Sequence, residues 1–287
     1  MITETKPATW VVAYASAIGK AHIALKLPCQ DSCAHKRIDK NWGIAVVSDG
    51  AGSAKHSDAG SDFVVRSTLR SLEEVLKRNA WTPENLPKLE VWRTEALKTL
   101  QLVMQGLMDF ATENQYKRSD LGCTVLAAIY SPKAILVTHI GDGRAAYSDG
   151  GTWKSLITPY RGDEANETVF ITSNIWTQEG VGEFIKTSII KGKIDGFALL
   201  TDGCEKGSFE VNIYDQQNKK YHDPNRPYAR FFAPNVKGLQ QLHKEGKSQD
   251  DINNLWKGFL TAGNLQFKHE TDDKTMILGT IVSEETK

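Results

Sequence analysis

The stretch TVLAAIYSPKAILVTHIGDGRAAYSDGGTWKSL, residues 124–156, holds four strand-like runs parted only by tight turns. The runs are Thr124–Tyr130, Ala134–Ile140, Arg144–Ser148 and Trp153–Leu156, and Ser-Pro, Gly-Asp-Gly and Asp-Gly-Gly signals separate them. Strands joined so tightly pair antiparallel, because a parallel crossover needs a dozen or more residues. Working outward, Trp10–Ser16 and Trp42–Ser48 read as earlier strands, and Val169–Thr172, Phe184–Ile190, Phe197–Thr201 and Thr275–Val282 as later ones. Two amphipathic helices are expected upstream, at about Asp58–Asn79, with Phe63, Leu69, Leu72 and Leu76, and at about Glu90–Glu113, with Leu97, Leu100, Val103, Met104 and Leu107. The two prolines of Trp81–Lys88 break between them. Helical patterns return at Val236–Leu242 and Ile252–Leu260, whereas polar residues 204–235, with Pro224, Pro227 and Pro234, read as an irregular insertion. No repeat or low-complexity linker interrupts the chain, so residues 1–287 read as one α+β domain.

The formal net charge is zero, which argues against nucleic acid or an acidic membrane surface as partner. No apolar stretch reaches the length of a membrane span and the N-terminus lacks a secretory pattern, so the chain is expected in the cytoplasm. Four cysteines, at 29, 33, 123 and 204, form no disulfide framework. Cys29, Cys33 and His35 lack a second close pair to complete a zinc site, and Cys123 and Cys204 read as buried packing residues.

Four acidic segments carry the chemistry: Cys29-Gln30-Asp31-Ser32, Val47-Ser48-Asp49-Gly50, Leu200-Thr201-Asp202-Gly203 and Thr271-Asp272-Asp273-Lys274. Asp-Gly is also a common turn signal, and Asp149-Gly150 and Asp195-Gly196 read as turns. Asp49 and Asp202 differ because they end the apolar runs Ile44–Val47 and Phe197–Leu200, where a carboxylate is held rigidly yet faces a cleft. Several such aspartates converging from distant parts of a chain make a hard-cation site of the Mg2+ or Mn2+ kind.

The order of these elements resembles the metal-dependent Ser/Thr protein phosphatases of type 2C, the PPM family, in a compact bacterial form. Lys26-Leu27-Pro28-Cys29-Gln30-Asp31 resembles an Arg-containing segment ending in an acidic pair or Gln-Asp. Asp49-Gly50-Ala51-Gly52 resembles Asp-Gly-x-Gly, Gly122-Cys123-Thr124 resembles Gly-Thr-Thr, and Gly141-Asp142-Gly143-Arg144 resembles Gly-Asp-Ser-Arg. Thr201-Asp202-Gly203 and Asp272-Asp273 resemble the later Ser-Asp-Gly and Asp-Asn elements. The resemblance implies a four-layer α/β/β/α sandwich of two antiparallel β-sheets flanked by helix pairs, with two Mg2+ or Mn2+ ions in the cleft. It further implies that Asp49 bridges the ions, that the Gly50 carbonyl binds one, and that Asp202 and Asp272 hold the other. It also implies that Asp31 orients the water that attacks the phosphate in line, that Lys26 contacts the phosphate, and that Asp120 either binds a third, weaker ion or is simply a loop carboxylate. A flap at 158–184, with Asp163, Glu164 and Glu167, borders the cleft.

Two departures from the family pattern bear on activity. Lys26 replaces an Arg and cannot make a bidentate fork on phosphate. Ala51 stands where some members carry a His that protonates the leaving oxygen, so solvent water is preferred as the donor over His56. His56 and His139 otherwise read as helix-start and strand-packing residues, and Asp142 and Arg144 as turn stabilisers. The implied function is phosphoserine/phosphothreonine hydrolysis on protein substrates by a monomer. A catalytically weak phosphoprotein-binding module and a phosphatase for small esters remain the alternatives.

Overall fold

The computed structural model describes residues 9–160, 168–177 and 180–282. In chain order its elements are β1 (Thr9–Ala17), α1 (Lys20–Leu25), β2 (Ser32–Arg37), β3 (Gly43–Ser48), α2 (Ser57–Asn79), α3 (Leu89–Glu113), β4 (Val125–Tyr130) and β5 (Ala134–Ile140). There follow β6 (Arg144–Asp149), β7 (Thr152–Ser155), α4 (Val181–Phe184), β8 (Lys186–Lys191), β9 (Gly196–Leu200) and α5 (Glu205–Ser208). The last are β10 (Phe209–Glu210), β11 (Ile213–Asp215), β12 (Lys220–His222), β13 (Arg226–Pro227), α6 (Ala229–Lys244), α7 (Gln249–Ala262), α8 (Leu265–His269) and β14 (Lys274–Val282).

The tight turns after β4 and β6 give antiparallel neighbours, but the Gly141–Gly143 turn corrects the expectation: β5 and β6 do not pair, because the chain crosses there from one sheet to the other. One sheet has the order β2-β3-β4-β5-β8 and the other β1-β14-β9-β6-β7, with every pairing antiparallel. Strands β3, β4, β5 and β9 are buried along their whole length, which is why their sequences run apolar instead of alternating. One face of the first sheet packs on α2 and α3 through Ile44, Val46, Leu72, Trp92, Leu100 and Leu136. The second sheet packs on α6 and α7 through Ala13, Phe232, Leu239, Trp256 and Leu278. Between the sheets lie Val47, Leu126, Val137, Phe197, Leu199 and Ile277. The four layers are those expected, and no helix among the described residues is long and apolar enough to cross a membrane.

Three local expectations are corrected. Val169–Thr172 is not a strand: Ser173 closes a turn there, its N–H donating to the Phe170 carbonyl and its hydroxyl accepting from the Phe170 N–H. Phe184 ends a one-turn helix, so the strand starts at Lys186. The insertion is not irregular throughout 204–235, because it holds α5 and two short strand pairs, and helix α6 already begins at Ala229. Pro234 lies inside α6. Burial of Phe231 and Phe232, with Phe232 stacked on Trp153, outweighs the helix hydrogen bond that proline forfeits. Within the flap, residues 161–167 and 178–179 lie outside the described residues, and with them Asp163, Glu164 and Glu167.

Arg144 pins this insertion to the sheet. Its guanidinium is fully buried; Nε donates to Glu205 at 2.8 Å, Nη2 to Asp223 at 2.7 Å and Nη1 to Asn225 at 2.6 Å, and it lies over the Phe209 ring. Asn225 in turn donates to the Ile157 carbonyl at 2.8 Å. The arginine therefore does more than stabilise its own turn. Removing it strands two carboxylates at the edge of the core, so Arg144→Ala is expected to cost about 3 kcal/mol in urea unfolding, and Arg144→Lys, lacking the planar fork, to recover only part. Wild-type stability of Arg144→Ala would show that the clamp is dispensable.

Candidate active site

The acidic segments meet at one end of the sandwich because each leaves, or enters, a strand at that end. Asp49 follows β3 and Asp202 follows β9, while Asp31 precedes β2 and Asp272 precedes β14. The β3–β4 pairing extends past the strand: Thr124 N–H donates to the Asp49 carbonyl at 2.8 Å, the Thr124 hydroxyl accepts from the Asp49 N–H at 3.0 Å, and Ser48 donates to the Thr124 carbonyl at 2.5 Å. Asp49 is thereby fixed from its backbone, leaving its carboxyl to the cleft.

Close backbone crossings bring the segments together. A Cβ at Gly50 would collide with the Gln30 carbonyl, and one at Gly203 with the Asp273 carbonyl, so only glycine permits either approach. Buried Asp273 links three loops: Oδ1 accepts from the Gly19 N–H at 2.6 Å, Oδ2 accepts from the Gln30 N–H at 2.5 Å, and His22 Nδ1 lies 2.9 Å from Oδ2. The Ser61 hydroxyl of α2 donates to the Gln30 carbonyl at 2.5 Å. Thr201 donates to Asp31 Oδ2 at 2.7 Å while accepting from the Thr275 N–H at 3.1 Å.

The electrostatics of this convergence are those of uncompensated carboxylates. Burial, followed by the charges of Asp273, Asp202 and Asp272, raises Asp31 well above the ordinary carboxylate range, although the Thr201 hydrogen bond opposes it. Asp49 is raised by burial first, then by Asp31, Asp202, Asp142 and Asp272. Asp202 is pushed up to about 7 by burial and by Asp142 and Asp272, while a hydrogen bond with the Asp49 carboxyl opposes the shift. Asp31, Asp49, Asp202 and Asp272 are thus mutual electrostatic neighbours, and Asp142, read from sequence as a turn residue, joins them. The Gly-Asp-Gly turn at the end of β5 was its only signal.

Other expected residues stand differently. Lys26 is exposed at the left-handed C-cap of α1, with φ 56°. Asp120 lies in a single 3-10 turn, Arg118–Leu121, and turns its side chain back on it, Oδ2 accepting from the Lys117 N–H at 3.2 Å. His56 stacks on Tyr116 with ring centroids 4.0 Å apart. His139 is buried, and burial lowers it to about 4. His22, which the sequence reading does not single out, and Asp273, quoted there only as the second residue of its Asp-Asp pair, hold the loops that carry Asp31 and Asp272.

Among the described residues, no three His, Cys, Asp or Glu side chains close on one point as a finished metal cage. The donor set nevertheless suits a hard divalent cation. Asp202 Oδ1 is buried without a hydrogen-bond partner, and the surrounding ligands are carboxylate oxygens whose repulsion a cation offsets.

Comparison with known proteins identifies the family and the fold. Residues 18–253 match the Protein phosphatase 2C family. Over 274 residues the chain is 29% identical to serine/threonine-protein phosphatase 3 of Escherichia coli (strain K12), a match covering 94% of this chain and 98% of that protein. The serine/threonine phosphatase of S. agalactiae superposes with a TM-score of 0.59 at 14% identity, over 95% of this chain and 99% of that one. Serine-threonine phosphatase 2C from Toxoplasma gondii superposes with a TM-score of 0.58 at 12% identity, over 96% of each chain. At such identities the two structures speak for the fold, and the family match spans most of the sequence. The chain belongs to the protein phosphatase 2C family and is a serine/threonine protein phosphatase of that type.

Proposed function

We propose that this phosphatase hydrolyses phosphoserine and phosphothreonine esters of proteins with two Mg2+ or Mn2+ ions, held by Asp49, the Gly50 carbonyl, Asp202 and Asp272. The observation that carries the reading is the cluster of buried, mutually repelling carboxylates with Asp202 Oδ1 left unpartnered. When bound, such ions lower the pKa of a water towards neutrality and neutralise phosphoryl oxygens during in-line attack.

The chain's own residues then do the following. Asp31, its Oδ2 held by Thr201, uses its remaining oxygen to orient the attacking water and take up its proton. Lys26 supplies a cation to the phosphate, and Asp142 adds negative charge that strengthens cation binding. Solvent protonates the leaving oxygen, since Ala51 has no proton to give and the His56 ring is engaged with Tyr116. Asp120, whose Oδ2 accepts from the Lys117 N–H, would hold a third ion.

Hydrolysis of a phosphothreonine peptide and of an aryl phosphate, with Mn2+ and with chelator, tests the reading. Asp202→Asn is expected to lower turnover at least a hundredfold, on the order expected when an electrostatic group at a reacting centre is removed. Undiminished turnover in excess chelator would sink the proposal.

A stability measurement checks the same site without turnover. The folded chain keeps a proton on Asp202 up to about pH 7, whereas its ordinary value is 3.8. Unfolding therefore releases that proton, and this carboxylate's contribution to stability is lost as pH rises through that window. His35 and His139, held by burial near 4, act with the opposite sign and cancel in the difference between the two proteins, which reads Asp202 together with its repulsion of Asp31 and Asp49. In chelator, the melting temperature of Asp202→Asn should exceed wild type by a margin that grows from pH 5 to pH 8, reaching on the order of 5 °C. Saturating Mn2+ should reverse the order at pH 8. A constant difference, untouched by Mn2+, would exclude Asp202 as a ligand.

Lys26→Ala should raise KM for a phosphopeptide severalfold and Lys26→Arg should preserve or improve it, because guanidinium offers phosphate two parallel donors. Identical efficiency of all three proteins would place Lys26 outside the site.

A further inference from the structure

Helix α1 is held to the protein by its backbone and by one side chain. Gly19 N–H donates to Asp273, Ala21 N–H donates to the Thr271 carbonyl at 3.0 Å, and His22 is the only buried residue of the helix. Its aliphatic side chains contribute nothing to the core: Ile23 is 57% exposed, Leu25 68%, and Leu27 just beyond it 39%. Three large aliphatics exposed within five consecutive residues mark an interaction surface more than a packing need. The surface adjoins the carboxylate cluster, because Thr271 and Asp273, on which α1 rests, flank Asp272, and Gln30, tied to the same Asp273, precedes Asp31.

We propose that α1 and Leu27 form a docking ledge for the phosphorylated segment of a protein substrate, one carrying aliphatic or aromatic side chains next to the phosphoserine or phosphothreonine. The inference rests on the proposed phosphatase site and deepens it. Charge complementarity selects this occupant: Lys20 and Lys26 are exposed on the same six-residue helix and its cap, and both suit a segment that bears a phosphate. A second copy of the chain fits less well, since three aliphatic side chains fall well short of the about 800 Å2 per partner that a stable interface takes. The ledge gives apolar flanking residues a place to bury while the phosphate lies at the acidic cleft.

The test uses two phosphothreonine peptides of equal charge, one with Leu and Phe beside the phosphorylated residue and one with Ser and Gly, together with an aryl phosphate, all in Mn2+. Wild type is expected to favour the apolar peptide about tenfold in kcat/KM, mainly through KM, a preference on the scale of burying two or so methylenes. The triple variant Ile23→Ser, Leu25→Ser, Leu27→Ser should reduce the preference below about twofold and leave aryl phosphate hydrolysis unchanged. Leu102→Ser, at an equally exposed aliphatic on α3, should keep the preference. If wild type shows no preference, or the triple variant retains it, while aryl phosphate is still hydrolysed, the ledge is refuted and the phosphatase site stands. If wild type hydrolyses neither peptide nor aryl phosphate, the proposed function itself fails and the ledge with it. If the triple substitution abolishes a concentration-dependent dimer without altering peptide preference, the face joins two copies and the proposal is overturned.

Discussion

The meeting of loops at the carboxylate end of the sandwich depends on one buried side chain, that of Asp273, accepting two backbone N–H groups from segments more than two hundred residues away in sequence. Gly19 and Gln30 would otherwise carry unsatisfied donors in a protected place, and leaving such a donor unpaired costs about 1–3 kcal/mol. By satisfying both, Asp273 draws the β1–β2 connection onto the start of β14. The glycines at 50 and 203 then let the neighbouring segments come to backbone contact. Four loops of different origin become one rigid floor.

That rigidity creates an electrostatic problem, which the proposed cations would relieve. Asp31, Asp49, Asp142, Asp202 and Asp272 sit within each other's fields, and burial denies several of them the water that would screen the repulsion. A pure scaffold has no use for such an arrangement, because each carboxylate destabilises the next. A site that recruits hard cations does, since cations turn the repulsion into affinity. The fold supplies the restraint elsewhere: the inter-sheet core, the hydroxyl contacts of Thr124 and Thr201, and the Arg144 clamp hold the strand ends in place against it.

Arg144 and Asp142 show how one short turn serves two ends. Asp142 adds its charge to the cluster, while Arg144, two residues on, is buried against Glu205, Asp223 and Asn225 of the insertion. Glu205 lies three residues past Asp202, and its charge also raises that aspartate. The insertion is therefore mechanically and electrostatically coupled to the site.

Residue patterning alone made an antiparallel α+β domain and its acidic candidates legible, while the four layers followed from the family resemblance. The turns after β4 and β6 leave antiparallel pairing as the natural solution, and helices as long as α2 and α3 print their buried stripes at helical spacing. Apolar runs ending in Asp49 and Asp202 mark strand mouths for the same local reason. Contacts between distant residues fixed the rest: that the chain changes sheets between β5 and β6, that Asp142 faces the cluster, that Asp273 is the tie and Asp272 the exposed partner, and that Asp120 caps its own turn. Helix α1 escaped because six residues with a single buried side chain carry no periodicity, and α6 was read too short because packing of Phe231 and Phe232 overrides the proline signal. Local patterns report local backbone preference and burial; the convergence of charges is a property of how far-separated strand ends are stacked, and no spacing along the chain encodes it.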